Sequence, residues 1–241
     1  MNKDNKNNLH AGHRERVREK FVKSGLDGFA DHEILELLLF YANPRGDTNP
    51  IAHELINRFG SVSAVLEASY DDLVTVKGIG DAAATLINLM PQLFRRYSQD
   101  KADAVRNISD IKSAADYLVP RFYGFAIERV GVLCLDAQGR IKNFVFASEG
   151  SLNLAHIDPR RIAQIALQNN AESIILAHNH PDGLAVPSRS DIETTKSLIN
   201  ALGLINIRVA DHLIISDGES FSMASSPKFA PLFMNCKLSA D

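Results

Sequence analysis

At 241 residues the chain is long enough for two modest domains with real cores. Its 26 Lys and Arg against 29 Asp and Glu leave a formal net charge of -3, which excludes a protein that grips nucleic acid mainly by neutralising phosphates over a basic surface. The polar start, Met1-Asn2-Lys3-Asp4-Asn5, has no apolar signal core, and Ile34 to Ala42 is interrupted by Glu36 and too short to span a bilayer, so the expectation is a soluble, cytoplasmic chain with no membrane partner. Cys134 and Cys236 lack the spacing of a disulfide framework or a cysteine zinc site and read as unpaired thiols.

From about Gly12 to Tyr97 the apolar residues recur at helix spacing, in Glu33 to Tyr41, Ile51 to Phe59, Val62 to Leu66 and Ala82 to Phe94. Asn49-Pro50 reads as a helix start with Asn as the cap, and Phe59-Gly60-Ser61 as a stop followed by a new cap. Asp71 to Gly80 followed by Ala82 to Leu93 resembles a helix-hairpin-helix. Its glycines permit a tight turn, the next helix N-terminus can receive a phosphate oxygen, and Lys77 adds charge there. Lys77, Gly78 and Gly80 are therefore candidates for contact with a DNA backbone, and a packing turn between two helices explains them as well. The cluster Arg14, Arg16, Arg18, Lys20 and Lys23 reads either as a second phosphate contact or as a solvated helix face. Residues 1–104 are taken as this all-α domain.

Ser98 to Asn107 is polar, lacks periodicity and reads as the linker. A helix over Ile111 to Leu118 follows, then a hairpin of strands Val130 to Leu135 and Ile141 to Ala147 joined by Asp136-Ala137-Gln138-Gly139. Arg160 to Asn169 is an amphipathic helix, and Ser173 to His180 an apolar strand that Pro181 stops. A helix from Ser188 or Asp191 to about Leu202, then strands Ile205 to Ala210, Leu213 to Ile215 and Phe221 to Met223, complete an α/β domain over 105–226. Residues 227–241 read as a weakly structured tail.

His178-Asn179-His180 is followed after seven residues by Ser188 and, three further on, by Asp191. Imidazoles at i and i+2 leave an extended strand on one face, so both rings aim at one point. Asp191 completes a set of two histidines and a carboxylate, which leaves a fourth tetrahedral position open, as in catalytic zinc. Ser188, one helical turn before Asp191, faces the same site. Ser188-Arg189-Ser190-Asp191 is also close to a capping box, which explains the serine and the aspartate without a metal. A hydrolytic zinc site needs a carboxylate to move protons; Glu128, just before a strand, and Glu149, just after one, both suit.

His178-x-His180, seven residues, Ser188-x-x-Asp191 resembles the JAMM motif of the JAB/MPN metallohydrolases. The flanks Ile175 to Pro181, Gly150-Ser151-Leu152-Asn153 and Asp211-His212-Leu213-Ile214-Ile215-x-Asp217-Gly218 narrow the resemblance to the RadC family. It is close over about 105–224 and looser in the helical part. The resemblance implies an α/β fold, a cytidine-deaminase-like JAB/MPN core of mixed sheet flanked by helices, preceded by an all-α helix-hairpin-helix domain. It implies Zn2+ held by His178, His180 and Asp191, with Ser188 steadying an oxyanion and an upstream glutamate handling protons. In JAMM proteins that glutamate ends a helix leading into the first hairpin strand, the place of Glu128, so Glu128 ranks above Glu149. Asp182 departs from the serine usual after His-Pro in the family, which bears on substrate preference.

Three functions follow from these readings. The first is a zinc-dependent JAMM-type metallopeptidase acting on a peptide or protein substrate at a peptide or isopeptide bond. The second is a DNA-processing protein of repair or recombination, whose hairpin domain delivers the metal site. The third is a non-catalytic interaction scaffold, against which the retention of His178, His180, Ser188, Asp191 and Glu128 argues.

Overall fold

The computed structural model describes residues 4–125, 127–148, 158–181 and 183–234. Contacts divide the chain into two compact units, Met1–Phe94 and Arg95–Asp241. The first unit is helical: α1 (Asp4–Ser24), α2 (Asp31–Ala42), α3 (Asn49–Phe59), α4 (Val62–Glu67), α5 (Tyr70–Val74) and the start of α6 (Asp81–Ala102). Apolar residues three and four apart put Leu35 and Leu39, Ala52 and Leu55, and Ala83 and Ile87 on single helix faces, and these meet Val65 and Leu73 in one buried core. The Ser61 side chain caps α4 and Gly60 closes α3 at φ +93°, as expected. The cap of α3 is Thr48, not Asn49, which is already the first helical residue.

The stretch expected as a linker, Ser98 to Asn107, is helical over its first part, because α6 continues through Pro91 to Ala102. Polarity was the signal for a loop there. The charges instead pair at helix spacing, Arg96 with Asp100 at 2.9 Å, and Ala102 is buried.

The second unit holds α7 (Ile111–Phe122), β1 (Val130–Leu135), β2 (Ile141–Ser148), α8 (Pro159–Gln168), β3 (Ser173–Asn179), α9 (Arg189–Gly203), β4 (Arg208–Ser216), β5 (Glu219–Ser222) and α10 (Ala230–Met234). The strands form one mixed sheet in the order β2-β1-β3-β4-β5, with β3 and β4 parallel and every other pair antiparallel. This is the α/β architecture expected. One face, carrying Val130, Val132, Cys134, Ile174 and Leu176, is covered by Ile162 and Ile165 of α8 and Leu198 and Leu202 of α9. The other, carrying Leu133, Ile175, Leu213 and Ile215, is covered by Leu118 and Phe122 of α7. The period-two alternation of β1 and β3 is therefore hidden, since both faces are buried and both strands read as continuous apolar runs.

Two expectations are corrected here. Ile205 to Ala210 and Leu213 to Ile215 are not separate strands; Arg208–Ser216 is one strand, whose polar Asp211 and His212 are buried. The tail from Pro227 is structured at its start: Phe229 is buried with Ile214 and Met223, and Leu232 and Phe233 of α10 pack against them. Among the described residues no helix is long and apolar enough to cross a membrane.

Candidate metal centre

Strand β3 runs to the carboxyl end of the parallel pair, where ligands collect in open α/β sheets. His178, 1% exposed, pairs with Val130 of β1 on one side and Ile214 of β4 on the other. The ladder outlasts the strand by one residue, for the His180 N–H donates to the Ile215 carbonyl at 2.8 Å. Both rings therefore leave the sheet on one face, and their Nε2 atoms lie 2.8 Å apart. Beyond Pro181 the chain is pinned by the Ser216 hydroxyl, which donates to the Gly183 carbonyl at 2.7 Å.

Helix α9 brings the carboxylate. Ser188 is its cap: its Oγ accepts the Asp191 N–H at 3.2 Å, while Asp191 Oδ2 accepts the Ser188 N–H at 2.7 Å and the Ser188 hydroxyl at 2.6 Å. The same carboxylate sets Oδ1 3.2 Å from His178 Nε2 and Oδ2 3.6 Å from His180 Nε2. Capping the helix and facing the histidines are thus not alternatives. The capping box is the device that turns Asp191 toward the histidines.

His178, His180 and Asp191 form a group able to hold a metal ion. Tetrahedral zinc with bonds of about 2.0–2.1 Å separates its ligand atoms by about 3.3 Å; the separations here are 2.8, 3.2 and 3.6 Å. Outward partners also suit ligation. His180 Nδ1 lies 3.1 Å from the Leu184 carbonyl, which can only accept, so this nitrogen carries the hydrogen and Nε2 presents its lone pair inward. Burial pushes the Asp191 carboxyl up, but hydrogen bonding and charge from His178 and the two Ser188 donors outweigh it and hold the group well below the usual carboxylate range. An anionic oxygen and two imidazole nitrogens converging on one point are the donor set of a zinc-like cation.

Glu128 sits in the short segment between α7 and β1, past the helix end rather than on it, and is half-buried. The β1–β3 pairing continues toward it: the Asn179 N–H donates to the Arg129 carbonyl at 3.4 Å, and the Arg129 N–H donates to Asn179 Oδ1 at 2.8 Å. The β1–β3 register opens with Val130 opposite His178, two residues after Glu128 in the chain. The Asn179 amide further donates to the carbonyls of Ile127 at 3.1 Å and Phe125 at 3.4 Å, tying the segment on both sides of Glu128. Glu149, residues 150–153 and Asp182 lie outside the described residues.

Sequence reasoning missed three residues around this centre. His212 is fully buried in β4 with Nε2 2.8 Å from His178 Nδ1, and Thr195 of α9 approaches its other nitrogen. Burial pushes His212 well below the usual histidine range, so its ring is neutral. Asn179, between the two histidines, binds the Arg129 N–H and the carbonyls of Ile127 and Phe125 through its side chain. A polar residue inside a buried apolar strand was the available signal for His212, but its partner depends on strand pairing.

The candidate DNA-contact residues belong to the helical unit. Lys77 is exposed in the turn between α5 and α6. Gly78 has φ +95°, its carbonyl accepts Asn43 Nδ2 at 3.0 Å, and a Cβ there would stand 2.6 Å from Ile51 Cδ1. The carbonyl of Gly80 accepts the Ala83 and Ala84 N–H groups, each at 3.0 Å, which opens α6. Of the basic cluster, Arg14 donates to the carbonyls of Asn43, Pro44 and Gly46, and Lys20 pairs with Glu33 at 2.9 Å.

Two families match separate stretches of the chain. Residues 108–228 match the family described as RadC-like JAB domain, and residues 10–85 the family described as UPF0758 N-terminal. The chain is 39% identical over 218 residues to a UPF0758 protein of Fusobacterium nucleatum, covering 88% of this chain and 94% of that protein. It is 36% identical to a UPF0758 protein of Nitrosococcus oceani and 35% identical to one of Cellvibrio japonicus, each over 210 residues, 87% of this chain and 94% of the relative.

Proposed function

The chain belongs to the UPF0758 family of RadC-like JAB-domain proteins, and from that premise we propose that it is a zinc-dependent JAMM-type hydrolase that cleaves a peptide or isopeptide bond. The observation that carries the reading is the convergence of His178 Nε2, His180 Nε2 and an ionised Asp191 carboxylate, with the His180 ring hydrogen committed outward. His178, His180 and Asp191 would hold the ion through those atoms. Zinc in such a site supplies Lewis acidity and lowers the pKa of water to about 7.

The protein's own groups do the rest. Glu128 takes a proton from the attacking water at its carboxylate and returns it to the leaving amine nitrogen. Ser188 is exposed, so its hydroxyl can turn from Asp191 Oδ2 to donate to a developing oxyanion while the Ser188 N–H keeps the carboxylate in place. Asn179 keeps the Glu128 segment against the strand that bears both histidines.

Metal analysis and an amide-cleavage assay test this. Purified protein is expected to carry about one zinc per chain, and His178→Ala to lose it. Glu128→Gln is expected to keep the zinc and lose hydrolysis by about 10²- to 10⁴-fold. A wild-type preparation that never binds zinc would sink the reading. Metal-dependent cleavage of DNA that fails in Asp191→Ala, with no amide cleavage, would move the function to nucleic acid. Identical behaviour of Glu128→Gln and wild type in every cellular assay would make the domain a scaffold.

A further inference from the structure

We propose that His212 is a positioning residue that decides which nitrogen of His178 faces the metal, acting through a one-way chain of hydrogen bonds anchored on the backbone of the helix that carries Asp191. It rests on the zinc reading above and adds to it a pair of residues, His212 and Thr195, that touch no substrate.

The chain runs His178 Nδ1 to His212 Nε2 at 2.8 Å, His212 Nδ1 to Thr195 Oγ1 at 2.7 Å, and Thr195 Oγ1 to the Asp191 carbonyl at 2.6 Å. His212 and Thr195 are fully buried. Direction follows from the end that has no choice. A carbonyl oxygen only accepts, so the Thr195 hydroxyl commits its single hydrogen to Asp191 O and can only accept from His212. His212, fully buried between that hydroxyl and the His178 ring, therefore bears its ring hydrogen on Nδ1, and its Nε2 accepts. His178 Nδ1 must then donate, which leaves Nε2 as the nitrogen that faces His180 Nε2 and Asp191 Oδ1 and gives up any hydrogen it shares with Asp191 when an ion binds. Reversal would put the hydrogen on His178 Nε2, aimed at the ion, and remove a ligand.

The fold is arranged for this contact. The β3–β4 register slips by one between Ile174, paired with Val209, and Ile175, paired with Asp211. Without that slip, strict alternation from Val209 would have put Asp211 on the His178 face; with it, Ala210 is passed over and His212 pairs with Leu176 and faces His178. Thr195 lies one turn beyond Asp191 on α9, so β3, β4 and α9 meet in a single hydrogen-bond chain at the ligands.

The test reads tautomer and affinity separately. Long-range 15N spectra of the full-length protein, with and without zinc, are expected to place the His212 hydrogen on Nδ1 in both. Zinc affinity, measured by competition with a chelating dye, is expected to fall by about 10- to 100-fold in Thr195→Val and in His212→Leu. Thr195→Ser, which restores the hydroxyl, and His212→Gln, whose amide oxygen can accept from His178 Nδ1–H, are expected to recover most of it, with circular dichroism unchanged. A His212 hydrogen on Nε2 in the wild type, or wild-type zinc affinity in a folded Thr195→Val, overturns the proposal. Should Thr195→Val not fold, the wild-type tautomer and the His212→Gln affinity still decide. A wild type that binds no zinc refutes the hydrolase reading and the metal role together, whereas a wrong tautomer in a zinc-binding protein refutes only the relay.

Discussion

Arg129 and Asn179 hold one another twice: the Arg129 N–H donates to Asn179 Oδ1 at 2.8 Å, and the Asn179 N–H donates to the Arg129 carbonyl at 3.4 Å. One residue thus separates the two histidine ligands, continues the β1–β3 ladder and ties down the neighbour of Glu128. Asn179→Ala leaves the Arg129 N–H and the Ile127 carbonyl without their partner. We expect a stability loss of about 1–3 kcal/mol, a lower kcat and unchanged zinc content. Denaturant titration, metal analysis and steady-state kinetics check this; lost zinc would show that Asn179 serves the ligands instead of Glu128.

Ser188 joins a cap to a ligand. Ser188→Ala is expected to cost about 1 kcal/mol through the cap and to weaken zinc binding, because Asp191 Oδ2 loses one of its two Ser188 donors. Ser188→Thr, which keeps the hydroxyl, is expected to restore both. Thermal melts and zinc competition on the same preparations separate the two effects.

Gly78 and Gly80 look alike in sequence and differ in structure. Gly78 combines φ +95° with contact on Ile51, whereas a Cβ on Gly80 meets nothing within 4 Å. Gly78→Ala is expected to destabilise the helical unit by about 1–3 kcal/mol, and Gly80→Ala to change stability by no more than about 0.5 kcal/mol. Denaturant unfolding of both variants measures the difference, and equal losses would contradict the packing role of Gly78.

Burial pushes the Cys134 thiol up from its ordinary value of 9.0 to about 11. The folded state therefore holds this proton more tightly than the unfolded state. The contribution to stability is complete below pH 9.0 and is lost as pH rises toward about 11. Cys134→Ala is expected to show a shallower decline in stability than the wild type across that window, measured by denaturant titration at each pH. Iodoacetamide at neutral pH is expected to leave Cys134 unmodified until the protein is unfolded.

Much of the molecule could be read before folding was considered. The strand Val130–Leu135 has the bounds expected of it, because a short β-branched and apolar run between turn residues has few other uses. The group able to hold a metal was legible for a related reason: spacing of two along a strand and of three on a helix is local geometry, and it relates His178 to His180 and Ser188 to Asp191 without reference to distant chain. The extension of α6 beyond Ser98 was not legible, since a charged helix with paired side chains and a loop look alike in composition.

What the amino-acid order determined by itself was therefore most of the elements, the spacing of His178, His180 and Asp191 and the cap that turns Asp191. Tertiary structure alone decided what meets that set. The slipped register of β3 with β4 turns His212 toward His178 and Thr195, and Asn179 at the end of β3 ties down Arg129, the neighbour of Glu128. Strand pairing joins residues far apart in the chain, and a one-residue slip sends every later side chain to the opposite face, so no local pattern encodes either contact.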